Sequence, residues 1–173
     1  MARHGFIQDD LDLKLLVLYI MDRVAAPITF LQLLELALCD AGVDYFSLNQ
    51  AVSHMVETGH LSAEGERYAI TEKGRHNSGI CQSSLPYSVR RHCDDNLIRV
   101  NNALRREEQV RAVLTAQDNG ACTLELYLAD SSGPLMELRL LVPSREKGEA
   151  LARRFKAAPE QTYQQIFALL ERE

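Results

Sequence analysis

The fold is decided by residues 28–75, which read ITFLQLLELALCDAGVDYFSLNQAVSHMVETGHLSAEGERYAITEKGR. Two helix-start patterns lie in this stretch, because Thr29 is followed three residues later by Gln32, and Ser47 by Gln50. In each pair the hydroxyl can accept a hydrogen bond from a first-turn amide, while the glutamine reaches back to the cap residue. These patterns predict a first helix over residues 30–40, then a short turn and a second helix.

The second helix is predicted over residues 48–58, since Gly59 suits the left-handed position that follows a helix. Its apolar residues recur at helical spacing and form a predicted buried stripe: Leu48, Ala51, Val52, Met55 and Val56. Two short extended runs, 60–62 and 67–71, then flank a loop that contains Gly65, which predicts a hairpin. Helix, turn, helix and hairpin in this order are typical of a winged helix-turn-helix.

The segments on either side extend this prediction. A helix that is apolar nearly all round is predicted to begin at Asp9 and end at Pro27, either central to a core or shared with a partner. Residues 77–84 are rich in Asn, Ser and Gly, which favours an irregular connector. Pro86 then opens a long helix that extends to about residue 106.

The C-terminal part alternates apolar and polar residues, as in half-buried strands. Three strands are predicted, over residues 109–116, around 123–128 and over 136–142, separated by turns that contain Asn119 and Gly133. A helix is predicted to follow Ser144, and Pro159 interrupts or restarts it. The last helix has four residues at helical spacing that predict a packing face: Tyr163, Ile166, Phe167 and Leu170.

The predicted class is therefore α+β, with an N-terminal winged helix-turn-helix, a linker helix and a C-terminal three-stranded antiparallel sheet with two helices. The expected domains are a winged helix-turn-helix domain at residues 1–80, a connector and linker helix at 81–107, and an α+β domain at 108–173.

The longest apolar run, residues 15–21, is too short to span a bilayer, and the N-terminus lacks a signal-peptide core. We therefore expect a cytoplasmic protein without a membrane partner. The four cysteines form no CxxC pair, which favours reduced thiols: Cys39, Cys81, Cys93 and Cys122.

Five short motifs are similar to a bacterial family known as domain of unknown function 4364, related to PadR-type winged helices. They are LDLKLLVLY at 11–19, DYFSL at 44–48, VETGHL at 56–61, YAITEKGR at 68–75 and LVPS at 141–144. The resemblance covers most of the chain and implies a winged-helix DNA-binding regulator with an appended domain. It implies no particular activity, ligand or residue role.

The outward positions of the second helix are the candidate base-reading residues: Ser47, Asn49, Gln50, Ser53 and His54. Asn49 and Gln50 are expected in its first turn, where an amide side chain can pair with adenine and the helix amides can bind a phosphate. Arg67, Lys73 and Arg75 are the candidate contacts to the DNA backbone.

Charge argues against a strong interaction with phosphates. Residues 1–76 contain six basic and eleven acidic residues, a net charge of −5 that equals the charge of the whole chain. The predicted recognition helix has no Lys or Arg, and Glu64 and Glu66 would lie near the hairpin tip. Because neutralisation of phosphates supplies most non-specific affinity, such a surface handicaps DNA binding.

The leading interpretation is a dimeric transcriptional regulator that binds double-stranded DNA, with contacts between its subunits from the first helix and the C-terminal domain. The alternatives are a winged-helix module that binds a protein, and a sensor that takes a small-molecule effector between the sheet and its helices.

No nucleophile elbow, phosphate-binding glycine loop or HxxxH pair is present, so no enzyme activity, catalytic residue, metal or cofactor is predicted. A loose group of His76, Cys81, His92 and Cys93 is more simply read as incidental.

Overall fold

The computed structural model of the chain describes residues 5–118 and 120–171, and it is an α+β structure with two antiparallel sheets. Arg3, one of the basic residues counted above, and Asn119 of the predicted turn lie outside the described residues. The chain divides into two compact units, one ending at Leu104 and the other beginning at Arg105. Within the described ranges, no helix has the length and apolar character needed to cross a membrane.

The first unit is mainly helical. Its helices are α1 (Asp10–Met21), α2 (Phe30–Ala37), α3 (Tyr45–Glu57), α4 (Glu72–Cys81) and the greater part of α5 (Tyr87–Gln109), with a short 3-10 turn at Gln82–Ser84. Its strands are β1 (Ile28–Thr29), β2 (Leu61–Glu64) and β3 (Arg67–Ile70), which form an antiparallel sheet in the order β1-β3-β2. The predicted hairpin is therefore present, and its turn contains Gly65 at a φ of +59°.

Helix α1 begins where the sequence predicts. The Asp9 side chain accepts a hydrogen bond from the Asp12 amide at 2.8 Å and caps the helix. Leu16, Val17 and Ile20 have no exposed surface, so α1 lies at the centre of the core.

The predicted end of α1 at Pro27 was wrong, because the helix stops at Met21. Asn101 of α5 accepts a hydrogen bond from the Ala25 amide and donates one to the Arg23 carbonyl, both at 2.8 Å. These two bonds satisfy backbone groups of the segment that follows α1, so this segment does not need to be helical. The helix therefore ends well before the proline that appeared to determine its length.

Helix α2 has the capping box that the sequence predicts. The Gln32 amide donates to the Thr29 hydroxyl oxygen, and the Thr29 amide donates to the Gln32 side chain at 2.9 Å. The helix ends at Ala37, however, before the predicted end at residue 40. Asp40 is buried, and its carboxylate accepts hydrogen bonds from the backbone amides of Phe6, Ile7 and Gly42.

The prediction of an irregular connector was wrong for residues 77–81, which belong to α4. Gly74 lies against the His60 carbonyl, and the Asn77 amide group bonds to the His60 ring at 2.9 Å. Ser78 is buried on the same helix. The intrinsic helix propensities of residues other than proline differ by no more than about 1 kcal/mol per residue. Tertiary contacts of this kind can therefore hold a run of weak helix formers in a helix.

The second unit contains the predicted three-stranded sheet and two helices. Its elements are β4 (Val110–Ala116), β5 (Cys122–Asp130), β6 (Gly133–Val142), α6 (Arg145–Ala157) and α7 (Pro159–Leu170), with sheet order β4-β5-β6. Ser144 caps α6, since its hydroxyl accepts from the Lys147 amide at 3.3 Å, and Pro159 opens α7. The buried face of the sheet packs with Phe155 of α6 and includes Leu124 and Leu128 of β5.

The predicted packing face of α7 is only partly used within the chain. Tyr163 packs against the core of the second unit, and its ring lies 6.0 Å from that of Phe167. In contrast, Phe167 is 51% exposed and Leu170 is 81% exposed, and the neighbouring Leu169 is 62% exposed. The C-terminal end of α7 therefore leaves apolar surface in contact with solvent.

Candidate nucleic-acid interface on helix α3

Helix α3 begins three residues before the predicted start at residue 48, because Asp44 and not Ser47 is its cap. The Asp44 carboxylate accepts hydrogen bonds from the amides of Phe46 at 2.9 Å and Ser47 at 3.0 Å. The Ser47 hydroxyl also donates to it at 2.6 Å. The bond from the Ser47 hydroxyl, together with those amides, holds the pKa of Asp44 below its ordinary value of 3.8. A carboxylate accepts more bonds than a hydroxyl and carries a charge that suits a helix N-terminus.

This earlier start corrects two expectations about how α3 would meet DNA. Asn49 and Gln50 lie in the second turn and not in the first, since the helix begins at Tyr45. Two amides of the first turn are already bonded to Asp44, so they are not free for a phosphate. The negative charge of Asp44 also lies where a phosphate was expected.

The two faces of α3 are divided as predicted. The five candidate base-reading residues are all exposed: Ser47, Asn49, Gln50, Ser53 and His54. The predicted buried stripe is buried at four positions and half-buried at the fifth, Val56. The polar face is therefore free to contact a partner without any change in the core.

Three of the five candidates lie together beside the N-terminus of α1. Ser47, Gln50 and His54 line a cleft of about 540 Å³. The cleft is also lined by Asp9, which caps α1, by Asp10, and by Lys14, which pairs with Asp10 at 2.5 Å. Asn49 and Ser53 do not line it. The cleft therefore places carboxylates next to the residues expected to read bases.

The candidate backbone contacts are exposed, but two of them already hold other parts of the chain. The Arg67 guanidinium donates to the Pro27 carbonyl at 2.9 Å, and the Lys73 ammonium donates to the Thr58 carbonyl at 2.7 Å. Arg75 is exposed on α4. Both Arg67 and Lys73 keep further N–H donors, because a guanidinium has five and an ammonium three. They can therefore contact a phosphate while they retain these bonds.

An aromatic group at the start of α3 was not identified from the sequence. The Tyr45 ring lies edge-on to Phe30 at 5.2 Å and to Phe46 at 5.6 Å. Phe46 is 82% exposed. The adjacent aromatics in the motif at 44–48 were a visible signal, but a predicted start at residue 48 placed them outside the helix.

His60 connects the end of α3 to α4. One ring nitrogen lies 2.9 Å from the Thr58 hydroxyl, and the other lies 2.9 Å from the Asn77 side-chain amide. Desolvation, followed by the nearby charge of Lys73, lowers the pKa of His60 from its ordinary value of 6.5. The neutral ring is therefore the form that the folded protein favours.

We expect an NMR titration of the imidazole protons to give His60 a pKa below 6.5. As pH falls, the unfolded chain takes up the proton first, because its histidine has the ordinary pKa of 6.5. The contribution of His60 to the free energy of unfolding is therefore complete above pH 6.5 and is lost as pH falls through the pKa of the folded state. A pKa of 6.5 or higher for His60 would contradict the desolvation of its ring in the folded protein.

No three histidine, cysteine, aspartate or glutamate side chains meet in a way that could hold a metal ion, within residues 5–118 and 120–171. The His76 and Cys81 group considered above accordingly forms no such site there.

The fold and the α3 surface define an α+β protein of two units, the first of which exposes a polar helix face next to a β-hairpin. The family model named Domain of unknown function (DUF4364) matches residues 13–170, and the chain belongs to this family. The resemblance seen in the sequence is thereby confirmed. Comparison with curated proteins and with solved structures found no match.

Proposed function

We propose that this protein is a dimeric transcriptional regulator whose first unit is a winged helix-turn-helix that binds double-stranded DNA. In this proposal α2 and α3 are the helix-turn-helix pair, α3 is the recognition helix, and β2 and β3 are the wing. The order of these elements and the sheet order β1-β3-β2 support the assignment. The relation to PadR-type proteins remains a prediction.

The observation that carries the proposal is the polar face of α3. Asn49, Gln50 and Ser53 are exposed along one side of a 13-residue helix whose other side lies in the core. Side-chain amides in a major groove can pair with both adenine N6 and N7, which reads the base directly. The wing follows α3 at once, so Arg67 lies on the next hairpin in the chain.

The acidic surface sets the expected strength of binding. With Asp44 at the start of α3 and Glu64 and Glu66 in the hairpin, few phosphates can be neutralised. The slope of log affinity against log salt concentration is proportional to the number of phosphates neutralised. We therefore expect weak non-specific binding with a shallow dependence on salt. Most of the free energy of specific binding would then come from contacts to base edges and from the shape of the DNA.

The test is selection from a randomised duplex library at low and then moderate salt. Enrichment of a palindrome with half-sites about one helical turn apart is the expected result for a dimer. Absence of any enrichment, with negligible binding even at low salt, would refute DNA binding. The same protein preparation must show cooperative unfolding, so that a negative result refers to folded protein.

Replacement of Gln50 by alanine should weaken the selected site by about 1–3 kcal/mol and leave binding to random DNA nearly unchanged. Arg67→Ala should instead weaken all sequences and lower the salt slope by about one. Titration of labelled duplexes at several salt concentrations measures both effects. Gln161→Ala on the exposed side of α7 is the matched control and should change neither. An equal loss on both kinds of DNA for Gln50→Ala would reject a base-reading role.

The proposed dimer contact lies on α7. Helix α1 uses most of its apolar surface inside the core of its own unit, with Leu11 as an exposed exception. Phe167, Leu169 and Leu170 remain exposed near the end of α7. Full burial of such a side chain contributes about 1.5–3 kcal/mol, so a second copy of this surface is a suitable partner.

Leu170→Glu is therefore expected to weaken self-association at least about tenfold, because it places a charge in an apolar contact. Sedimentation equilibrium over a range of protein concentrations measures the effect. Gln161→Glu, which adds the same charge on another side of α7, is the control and should leave the dimer intact. Unchanged association in Leu170→Glu would place the dimer contact elsewhere.

A protein-binding module is the second candidate function. The exposed Phe46, 82% accessible, and Tyr45, 47% accessible, lie beside Asp44 at the start of α3. Aromatic residues are enriched in the buried centres of protein interfaces. A basic partner with an apolar pocket would match this surface better than a phosphate backbone does. Failure of the library selection would make this the better proposal.

The alternative of a ligand sensor places a small-molecule pocket between the sheet and its helices, but a cleft lies on the other face of the sheet. This cleft, of about 460 Å³, is lined by Arg111, Glu125, Tyr127, Glu137 and Arg139 among others. Glu125 pairs with Arg139 at 2.5 Å, and the Arg111 guanidinium lies 4.2 Å from the centre of the Tyr127 ring. Arg111, Glu125 and Arg139 therefore already have partners within the chain, and an effector would have to compete with these contacts.

A further inference from the structure

Two cysteines that are far apart in the sequence meet in the first unit. The sulfur atoms of Cys39 and Cys93 lie 2.8 Å apart, although 54 positions separate the residues in the chain. Cys39 follows α2, whose C-cap is Leu38, and Cys93 lies in α5. Both are free thiols. The wide spacing of cysteines in the sequence gave no indication of this pair.

Access and hydrogen bonding make the two thiols unequal. Cys39 is half-buried, whereas Cys93 has no exposed surface. A hydrogen bond from the Cys93 thiol lowers the pKa of Cys39, and the same bond, together with burial, raises the pKa of Cys93. Cys39 is thus the more readily ionised of the two thiols and the one that a small solute can reach, and Cys93 is the thiol held beside it. An accessible thiolate next to a second cysteine is the arrangement found in redox-sensing sites.

We propose that Cys39 and Cys93 form a reversible redox site, in which a hydroperoxide oxidises Cys39 and Cys93 then closes a disulfide. The proposal rests on thiol geometry and does not require that the protein bind DNA.

The chemistry needs only the two thiols and the peroxide. The Cys39 thiolate attacks one peroxide oxygen, the O–O bond breaks, and hydroxide leaves while a sulfenic acid forms. The Cys93 sulfur then attacks the Cys39 sulfur, the S–O bond breaks, and the sulfenic OH group leaves as water after it takes up the proton of the Cys93 thiol. Two electrons pass from the thiols to the peroxide. A dithiol reductant reverses the reaction by thiol–disulfide exchange through a mixed disulfide.

The disulfide would restrain the segment that leads into α3. Cys39 lies in the turn between α2 and α3, five positions before Asp44, which caps α3. A bond to α5 would fix this turn to the core and close a long loop, which reduces the conformational freedom of the unfolded chain. The oxidised protein should therefore melt at a higher temperature than the reduced one, and the difference should vanish with a dithiol reductant.

The test is oxidation of the full chain with hydrogen peroxide, followed by blocking of free thiols and peptide mapping without reduction. We expect a cross-link between the peptides that contain Cys39 and Cys93, and its loss on treatment with dithiothreitol. Cys81→Ser and Cys122→Ser are matched controls that should retain the cross-link. Oxidation of Cys81 or Cys122 while Cys39 and Cys93 stay reduced would overturn the proposal.

Two further variants test the order of events. In Cys93→Ala the sulfenic acid on Cys39 should persist and react with a 1,3-dione probe, because no resolving thiol is present. In Cys39→Ala, Cys93 should react much more slowly with peroxide than Cys39 does in the wild type, since Cys93 is buried. Faster oxidation of Cys93 than of Cys39 would overturn the roles assigned to the two thiols. A sulfinic acid on wild-type Cys39 without any cross-link would overturn the proposal that Cys93 closes a disulfide. The wild-type map decides the main question even if a variant fails to fold.

Discussion

Replacing Gly74 by alanine is expected to destabilise the protein by about 3 kcal/mol or more, because overpacking against rigid backbone cannot relax cheaply. A β-carbon at position 74 would lie 2.3 Å from the His60 carbonyl oxygen and 2.7 Å from a side-chain carbon of Ile70. The His60 carbonyl also accepts a hydrogen bond from the Thr71 amide at 3.1 Å, which restrains it further. Urea unfolding followed by circular dichroism measures the loss.

Gly79 provides a matched control on the same helix. A β-carbon at position 79 would meet nothing within 4 Å, and the residue is exposed in α4. Gly79→Ala should therefore stabilise the protein by about 0.5–1 kcal/mol, through the better helix propensity of alanine. Opposite signs for the two substitutions are the expected result. Equal effects would show that α4 does not pack closely on His60.

Asp40→Ala is expected to cost about 2–4 kcal/mol, since it removes a charged acceptor from three backbone amides at once. The carboxylate accepts from Phe6 at 2.9 Å, Ile7 at 3.3 Å and Gly42 at 2.8 Å. Two of these amides belong to the segment before α1, so this segment should lose its protection first. Hydrogen exchange at Phe6 and Ile7, together with the free energy of unfolding, measures both consequences.

Asp40→Asn is the conservative comparison. An asparagine keeps one acceptor oxygen but sets an N–H group against a backbone N–H, so its cost should fall between wild type and Asp40→Ala. Identical losses in the two variants would mean that the charge, and not the number of acceptors, stabilises this segment. No loss in either would contradict the role of Asp40 as an anchor.

Local chemistry accounts for what could be predicted. The Asp9 cap and the Thr29–Gln32 capping box depend on residues three positions apart, which the sequence displays directly. The strand alternation of Leu124, Leu126 and Leu128 produced three buried positions, as expected from a period of two. Each of these features is complete within a few residues, so no knowledge of the rest of the fold was needed.

The errors share a physical cause, which is competition from a distant or stronger partner. Helix α3 starts early because the Asp44 carboxylate is a better cap than the Ser47 hydroxyl and includes that hydroxyl among its donors. Helix α1 stops early because Asn101 bonds to the backbone after it. The correction for α3 changes the candidate site, since the Asp44 cap places a charge at the N-terminal end of the proposed recognition helix.

By itself the sequence determined the order of helices and strands apart from β1 and α4, the buried and exposed faces of α3, and membership of the family matched over residues 13–170. Only the tertiary structure decided that residues 77–81 are helical, that Cys39 meets Cys93, and that Ser47, Gln50 and His54 share a cleft with Asp9 and Asp10. Periodicity and caps act between residues within one or two turns, and sequence shows them. Contacts between separate elements depend on how those elements pack, which no local pattern encodes.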